Sequence, residues 1–540
     1  MSNGGDLLVQ ILRENGVDTV FGVISVHNLP LVEAVDRELR FVAVRHEAAA
    51  VNAADGYARA SGGLGCALTS TGTGAGNAAG SLIEALSAGS RVLHVTGQID
   101  SGHLGQGRGV IHETKDQLGM LTAVSKHAVT VPSAGEAGAI LREAVRRALA
   151  RPYGPASVEW PIDLQYAAQE VTSGTAGSSP VPAADPDRVG EAARVIRAAR
   201  RPVIWAGGGA KEAGPELREF AQLLGAPIFT SNAGRGAVSE DHELVVGNFA
   251  VNPAAASLLA DADLLISIGT HFRSNETKHY KLALPERHVQ IDLDPAALGR
   301  VYPATVGVCG DAADALAALA GELSSGVSTE EGWHDRAVQT RQAVRQRLRA
   351  DIGKYALICD AMREHLDPRS PIARDVTIPS SQWGNRLLPI HDPATNIFPL
   401  GGGIGQGLAT GIGAALARPD VPTAVIAGDG GLAVHLGELA TLAQERPWLV
   451  LVVFNDGGYG VLRNMQEARG VARSGVDLYT PDFRALAAAM ALPYGFVTAA
   501  EEFQEVFAKA VAAREPYLIE VDVTAVGPTP VPFVPPVEVR

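Results

Sequence analysis

AVIAGDGGLAVHLGELATLAQERPWLVLVVFNDGGYGVL, residues 424–462, holds two apolar runs, each ending in glycines around a polar residue. The first run ends at Gly428-Asp429-Gly430 and the second at Asn455-Asp456-Gly457, with a helix-like stretch between them. That is the layout of a strand–helix–strand crossover, which makes the two strands parallel and puts both polar tips at carboxyl ends, where ligands of α/β domains sit. Asp429 and Asn455 are 26 residues apart, the length of one such unit, so the tips can be neighbours. A carboxylate, an amide oxygen and a backbone carbonyl, for which Gly457 is the candidate, give three hard oxygen donors. Mg²⁺ favours six oxygens and completes its shell with water and phosphate. Gly428, Gly430 and Gly431 let the backbone approach those phosphates, and a helix starting near Leu432 aims its first amides at them. The stretch reads as a Mg²⁺–diphosphate site; the competing reading is a pair of glycine turns with an aspartate cap.

Working outward, strand-sized apolar runs alternate with Ala-rich helical stretches over nearly the whole chain, the pattern of doubly wound parallel α/β domains. Three blocks separate. Residues 1–171 carry strand candidates TVFGV, FVAVRH, CALTS, RVLHVTG and ASVEWP. Residues 188–325 carry PVIWAG, PIFTS, LLISIG and HVQIDLD, and residues 345–528 carry TAVIAGD, LVLVVFND and PYLIEVDV. A Ser/Gly/Pro/Ala-rich linker spans 172–187, and a Pro-rich tail, 529–540, reads as a lid or a surface strap.

Composition narrows the functions. The chain has 540 residues, 46 % of them hydrophobic and 19 % charged, enough to bury several cores. A net charge of −14 argues against nucleic acid and anionic membranes as partners. No apolar run reaches the roughly 20 residues of a membrane span. The first residues lack a basic region followed by an apolar one, and Cys66, Cys309 and Cys359 are far apart, odd in number and without metal spacing, so a cytoplasmic protein with buried thiols is expected. No GxxxxGK[ST], HExxH or GxSxG occurs. Gly207-Gly208-Gly209 follows a strand, but Glu212 breaks the dinucleotide fingerprint, which leaves a tight strand-to-helix turn and argues against a dehydrogenase.

Further motifs stand in order along the chain. GDG, about 26 residues and Asn resemble the signature of thiamine diphosphate (ThDP) enzymes. FGVISVHNLPL (21–31) and VRHEAAAVNAADGYARASG (44–62) resemble FGxPGxxxLP and RHEQxAxxxAxGYAR of the acetolactate synthase and 2-oxo acid decarboxylase group, benzoylformate decarboxylase included. TSTGTGAGNAAGSL, HVQIDLDPAALGRVYPATVGVCGDA and GGGIGQGLATGIGAALA resemble its Gly-rich turn, middle-domain end and thiazolium-supporting stretch. The resemblance implies two ThDP-binding-type domains flanking a Rossmann-like middle domain.

It also implies roles. Glu47 is the glutamate that bonds N1′ of the aminopyrimidine and promotes the C2 ylide; Ile404, beside Gly403, is the wedge that bends the cofactor. Asp429, Asn455 and Gly457 hold Mg²⁺, and Thr377 in RDVTIPSSQWGNRL contacts the diphosphate. Asp456 is read as a solvated neighbour, and the metal loop NDGGYG is one glycine longer than the NGTYG form. His112, in GRGVIHETKDQL, is the candidate proton relay or carboxylate ligand; Glu113 has no assigned role. Ile24-Ser25-Val26 replaces the family's PG turn, and Ser70 stands where benzoylformate decarboxylase has a histidine. SIGTHFRSNETKHY lacks the Arg-Asp-Asp-Arg pattern of flavin-binding relatives, so no FAD is expected. Site-sharing between subunits implies a homodimer at minimum, commonly a homotetramer. The expected reaction is non-oxidative decarboxylation of a 2-oxo acid through an ylide and an enamine, with aldehyde release. The alternatives are an acetolactate synthase-type carboligase and a non-catalytic ThDP-binding paralogue.

Overall fold

The structure, a computed structural model, describes residues 2–170, 174, 181–324 and 326–535. Most of the expected linker (171–173 and 175–180) and the end of the expected tail (536–540) lie outside the described residues.

Three six-stranded sheets follow one another along the chain. The first contains β1 (Thr19–Gly22), β2 (Arg40–Ala43), β3 (Gly65–Thr69), β4 (Val92–Gln98), β5 (His127–Thr130) and β6 (Ala156–Pro161). The second contains β7 (Pro202–Ala206), β8 (Ile228–Thr230), β9 (Val245–Gly247), β10 (Leu264–Ile268), β11 (His288–Asp292) and β12 (Val306–Cys309). The third contains β13 (Ile372–Arg374), β14 (Asn396–Ile397), β15 (Thr423–Gly428), β16 (Leu449–Asn455), β17 (Tyr494–Val497) and β18 (Tyr517–Asp522). All pairings are parallel.

The first sheet runs β2-β1-β3-β4-β6-β5, and the third repeats that order as β14-β13-β15-β16-β18-β17. The middle sheet runs β12-β11-β10-β7-β8-β9, the doubly wound order with its reversal between β7 and β10. Each sheet is covered on both faces, which is why its strands read as continuous apolar runs rather than alternating ones. Alternate residues of one strand feed opposite cores: Val20 packs with Leu68 and Val158, while Phe21 packs with Ala67 and Val92. Cys66 and Cys359 are buried, and burial pushes both thiols up to about 12. At the middle reversal the Gly207–Gly209 turn packs directly on Gly269, backbone against backbone.

The first and third sheets are tied by two helices, Glu47–Ser61 and Gly407–Ala417. Their contact is glycine-lined: a Cβ on Gly56 would overlap the Thr410 carbonyl oxygen, and one on Gly413 the Ala53 carbonyl. Arg59 donates to the Phe398 carbonyl at 3.0 Å and Arg418 to the Ala60 carbonyl at 2.8 Å across the same seam. A buried ion pair joins the middle and third regions: Arg235 bonds Glu240 at 2.6 and 2.7 Å and the carbonyls of Gly384 and Leu388. The described part of the tail is strapped down. Gln382 donates to the Val531 carbonyl at 2.8 Å and Asn464 to the Phe533 carbonyl at 3.0 Å.

Because the Ala53 carbonyl belongs to a helix and cannot swing aside, Gly413→Ala should destabilise the protein by about 1–3 kcal/mol, the usual cost of overpacking. A lowered thermal midpoint in calorimetry checks this.

Candidate active site

The tips of β15 and β16 meet as their parallel register requires, Gly428 pairing with Phe454. A short helix, Asp429–Val434, starts directly at the aspartate, three residues before the expected start at Leu432. Asp429 is 1 % exposed; its Oδ1 accepts the Asp456 amide at 3.3 Å, and its Oδ2 is buried with no partner. Asp456 Oδ1 is also buried and unpaired. Burial raises the pKa of Asp429; burial and then the Asp429 charge push Asp456 up to about 6. Arg463, 3.8 Å from Asp456 Oδ1, offsets this only in part. Two adjacent carboxylates, each with an orphaned buried oxygen, form a donor set for a hard cation. The Gly458 carbonyl supplies a third oxygen: a Cβ on Gly430 would lie 2.8 Å from it, so it faces the Asp429–Gly430 turn.

In this geometry two expected ligands are engaged with other partners. Asn455 spends its side chain locally, Nδ2 donating to Glu520 Oε1 at 2.8 Å and Oδ1 accepting the Gly457 amide at 3.3 Å. The Gly457 carbonyl accepts from Leu478 N at 3.0 Å and Arg463 Nη2 at 3.2 Å. The physical reason is strand parity. Asn455 is the last residue of β16 and spends its side chain on β18, while the backbone amide of the next residue, Asp456, donates to Asp429. Asp456, expected to be solvated, is half-buried, with its Oδ1 out of solvent.

The remaining residues of this edge converge on the same turn. Thr377 Oγ1 would be 2.8 Å from a Cβ on Gly428, so only glycine leaves the turn open there. Gly431 abuts Asp375, 1 % exposed, whose carboxylate accepts the amides of Gly405, Gly407 and Val376 at 3.0, 3.1 and 2.7 Å. Burial pushes Asp375 up and those amides hold it down. Asp375 thereby pins the loop in which Gly402 (φ 84°) and Gly405 (φ 82°) bracket Gly403 and Ile404. Ile404 projects from this loop, 39 % exposed. Sequence reasoning passed over Asp375, although it follows a strand run as Asp429 does.

At the first sheet, Glu47 opens the helix Glu47–Ser61. Its Oε2 accepts from Asn77 Nδ2 at 3.0 Å, and its Oε1 would be 2.9 Å from a Cβ on Gly74. The same glycine turn carries Gly72 (φ 63°), against which the His112 carbonyl packs. Glu47 and His112 therefore flank one turn, as Asp429 and Asp456 flank another. Gln117 Oε1 accepts from the Gly72 amide at 2.8 Å and Thr71 Oγ1 at 2.9 Å, and its Nε2 donates to buried Glu159 at 3.1 Å. Glu113 gains a role: its carboxylate accepts the amides of Gly107, Gly109 and Val110 at 3.0, 2.9 and 3.1 Å and shapes the loop that presents His112. Across the seam, the His46 and His435 rings lie 5.3 Å apart, and His435 Nδ1 is 2.9 Å from the Gly405 oxygen.

Three family models match the chain in order: the N-terminal TPP binding domain of thiamine pyrophosphate enzymes over residues 2–120, their central domain over 189–319, and their C-terminal TPP binding domain over 379–521. A probable 2-ketoarginine decarboxylase from Pseudomonas aeruginosa is 32 % identical over 494 residues, covering 89 % of this chain and 87 % of the relative. The chain belongs to the thiamine diphosphate-dependent acetolactate synthase/2-oxo acid decarboxylase family.

Other members of this family are similar over nearly their full length. A probable acetolactate synthase large subunit from Methanocaldococcus jannaschii is 28 % identical over 558 residues, spanning 99 % of this chain and 93 % of the relative. The acetolactate synthase isozyme 2 large subunit of Escherichia coli is 29 % identical over 536 residues, with 96 % and 95 % covered. The chain is thus a ThDP enzyme with the three-sheet α/β architecture of that family. Its residues fit a diphosphate cofactor: the orphaned oxygens of Asp429 and Asp456 call for a cation, and Gly428, Gly430 and Gly431 leave a backbone with no side chain to obstruct phosphates.

If Asp456 is a ligand and Asn455 a support, the two respond differently. Asp456→Ala should weaken Mg²⁺-dependent ThDP binding by more than about a hundredfold, and Asn455→Ala by about tenfold, the scale of a lost supporting contact. Calorimetric titration of ThDP in the presence of Mg²⁺ measures both.

Proposed function

We propose that this enzyme is a ThDP- and Mg²⁺-dependent decarboxylase that converts a 2-oxo acid to an aldehyde. The observation that carries the reading is that Glu47 and His112 meet one glycine turn, the Glu47 carboxylate at Gly74 and the His112 carbonyl and Cβ at Gly72. Bound ThDP supplies the nucleophilic carbon and the electron sink for loss of CO₂. Glu47 holds a proton at the aminopyrimidine ring nitrogen. His112 hands a proton to the carbon that CO₂ leaves, the general-acid role that an imidazole can fill. Asp429, Asp456 and the Gly458 carbonyl would hold Mg²⁺; Thr377 and the glycines at 428, 430 and 431 would receive the diphosphate; Ile404, with Gly403 beside it, would support the cofactor rings.

The assembly we infer is a homodimer at least, and a homotetramer as the fuller state. Ile404, Val434 and Leu462 stand exposed on the cofactor edge of the third domain, and Ile83 and Leu86 on the helix behind the Gly72 turn. A second copy would cover such surface. We expect no FAD, and a cytoplasmic location; no described helix is long and apolar enough to cross a membrane.

A carboligase of the acetolactate synthase type is the second reading, favoured by relatives of that name aligned over nearly the whole chain. The two differ in the fate of the carbon that loses CO₂: a proton gives an aldehyde, a second carbonyl a hydroxyketone. The test is CO₂ release and product identification with ThDP, Mg²⁺ and a panel of 2-oxo acids. The panel includes pyruvate, branched-chain and aryl acids, and guanidino acids because one relative is named for 2-ketoarginine. Aldehyde from one class supports the proposal; a hydroxyketone transfers it to the carboligase. Glu47→Gln should cut turnover by about 10²–10⁴-fold, the range of a lost acid–base group.

A further inference from the structure

His27 lies in the hook that follows β1, at the edge where β1 gives way to β3. The hook is rigid. Asn28, fully buried, donates to the Val23 and Thr69 carbonyls at 2.9 and 3.1 Å and accepts the Ser25 amide at 2.7 Å. Gln165 Nε2 donates to the His27 carbonyl at 2.8 Å, and Gly97 leaves no room for a Cβ beside it. The His27 side chain, though, is unspent: the residue is 6 % exposed and Nδ1 is buried with no partner. A purely structural histidine in the same sheet looks different. His94, 0 % exposed, engages Thr69 Oγ1 through Nε2 at 2.8 Å and Ser157 Oγ through Nδ1 at 3.1 Å.

What the His27 ring meets is His112. The ring centroids are 5.3 Å apart and the planes 83° apart, an edge-to-face contact. His112 has φ 67°, a left-handed conformation that a non-glycine residue holds only when its surroundings impose it. Glu113 imposes the loop and Gly72 receives the carbonyl, but neither restrains the imidazole. Among the described residues, the ring contact that His112 makes is with His27. Burial, then the nearness of His112, lowers the proton affinity of His27.

We propose that His27 is a positioning residue for His112: the edge-to-face contact of the two imidazoles fixes the His112 ring beside the Gly72 turn, in the orientation from which it delivers its proton. The inference rests on the decarboxylase reading above. In that step the N–H bond of the His112 imidazolium breaks and the aldehyde C–H bond forms. The electron pair comes from the former bond to CO₂, and water at the exposed loop around Ile111 returns the proton to the imidazole.

His27→Asn removes the ring and His27→Phe keeps its shape without its nitrogens. His27→Asn should lower kcat for aldehyde release by about tenfold with KM unchanged, as loss of orientation does, and His27→Phe should restore it to within about twofold. A readout independent of turnover comes from the cofactor-free protein labelled at histidine. The His112 imidazole signal, assigned by its disappearance in His112→Asn, should shift in His27→Asn and return in His27→Phe. Unchanged thermal unfolding and ThDP binding establish that the variants fold. An unmoved His112 signal in His27→Asn, or a His27→Phe enzyme as slow as His27→Asn, overturns the proposal. If wild-type protein releases no CO₂ from any acid, the decarboxylase reading fails, while the His112 signal still decides whether His27 orients it.

Discussion

A buried carboxylate, Asp429, with the half-buried Asp456 next to it, is the constraint around which the third domain's edge is organised. Asp429 and Asp456 each keep one oxygen out of water and without a hydrogen-bond partner among the described residues, with Arg463 3.8 Å from the Asp456 oxygen. Burying an ionised carboxylate without a full complement of partners costs several kcal/mol, a cost that a bound cation would offset. The parallel sheet supplies the means. All six strands end on one edge, and adjacent strands β15 and β16 bring their tips together without any loop having to reach. The glycines that follow leave backbone where side chains would stand, and Asp375 braces the facing loop through two of its amides.

The first sheet uses the same topology for a different chemistry. Its strand order is that of the third, and its switch point carries the Gly72–Gly74 turn with Glu47 on one side and His112 on the other. Behind the turn runs a buried polar chain: Thr71 and the Gly72 amide to Gln117, Gln117 to Glu159, and Glu159 to Gln98 and Thr130. Such networks are costly when incomplete and rigid when satisfied. This one is satisfied at every link named, and it ends on the backbone that faces Glu47. The helices Glu47–Ser61 and Gly407–Ala417 then lock the two edges into one body through contacts that admit only glycine at 56 and 413.

The middle sheet differs in order and in use. Its reversal point, where open α/β sheets hold nucleotides, has Gly207–Gly209 packed on Gly269. Arg273 reaches out of this domain to the carbonyls of Ser87 and Leu400, and Arg235 bonds carbonyls of the third domain. Its described polar contacts hold the outer two domains in register.

The α/β class, the three blocks and the crossover that joins Asp429 to its partner were legible in the chain, because apolar runs, glycine turns and crossover length are local properties. Ordered motifs singled out Glu47, Ile404 and Thr377 as candidates for the same reason. The identity of the second acidic tip was not legible. Asn455 and Asp456 are adjacent, and which of them faces Asp429 depends on where β16 ends and on Glu520 of β18 taking the asparagine. One residue of register exchanges the two faces of a strand, and register is set by neighbours far along the chain. His27 was quoted within a motif yet invisible as a pair with His112, 85 residues away, because only the folded edge brings the rings together. Sequence by itself determined the kind of protein and the edge on which its chemistry lies; tertiary structure alone decided which side chains at that edge are free, since a side chain's freedom depends on every partner that could satisfy it.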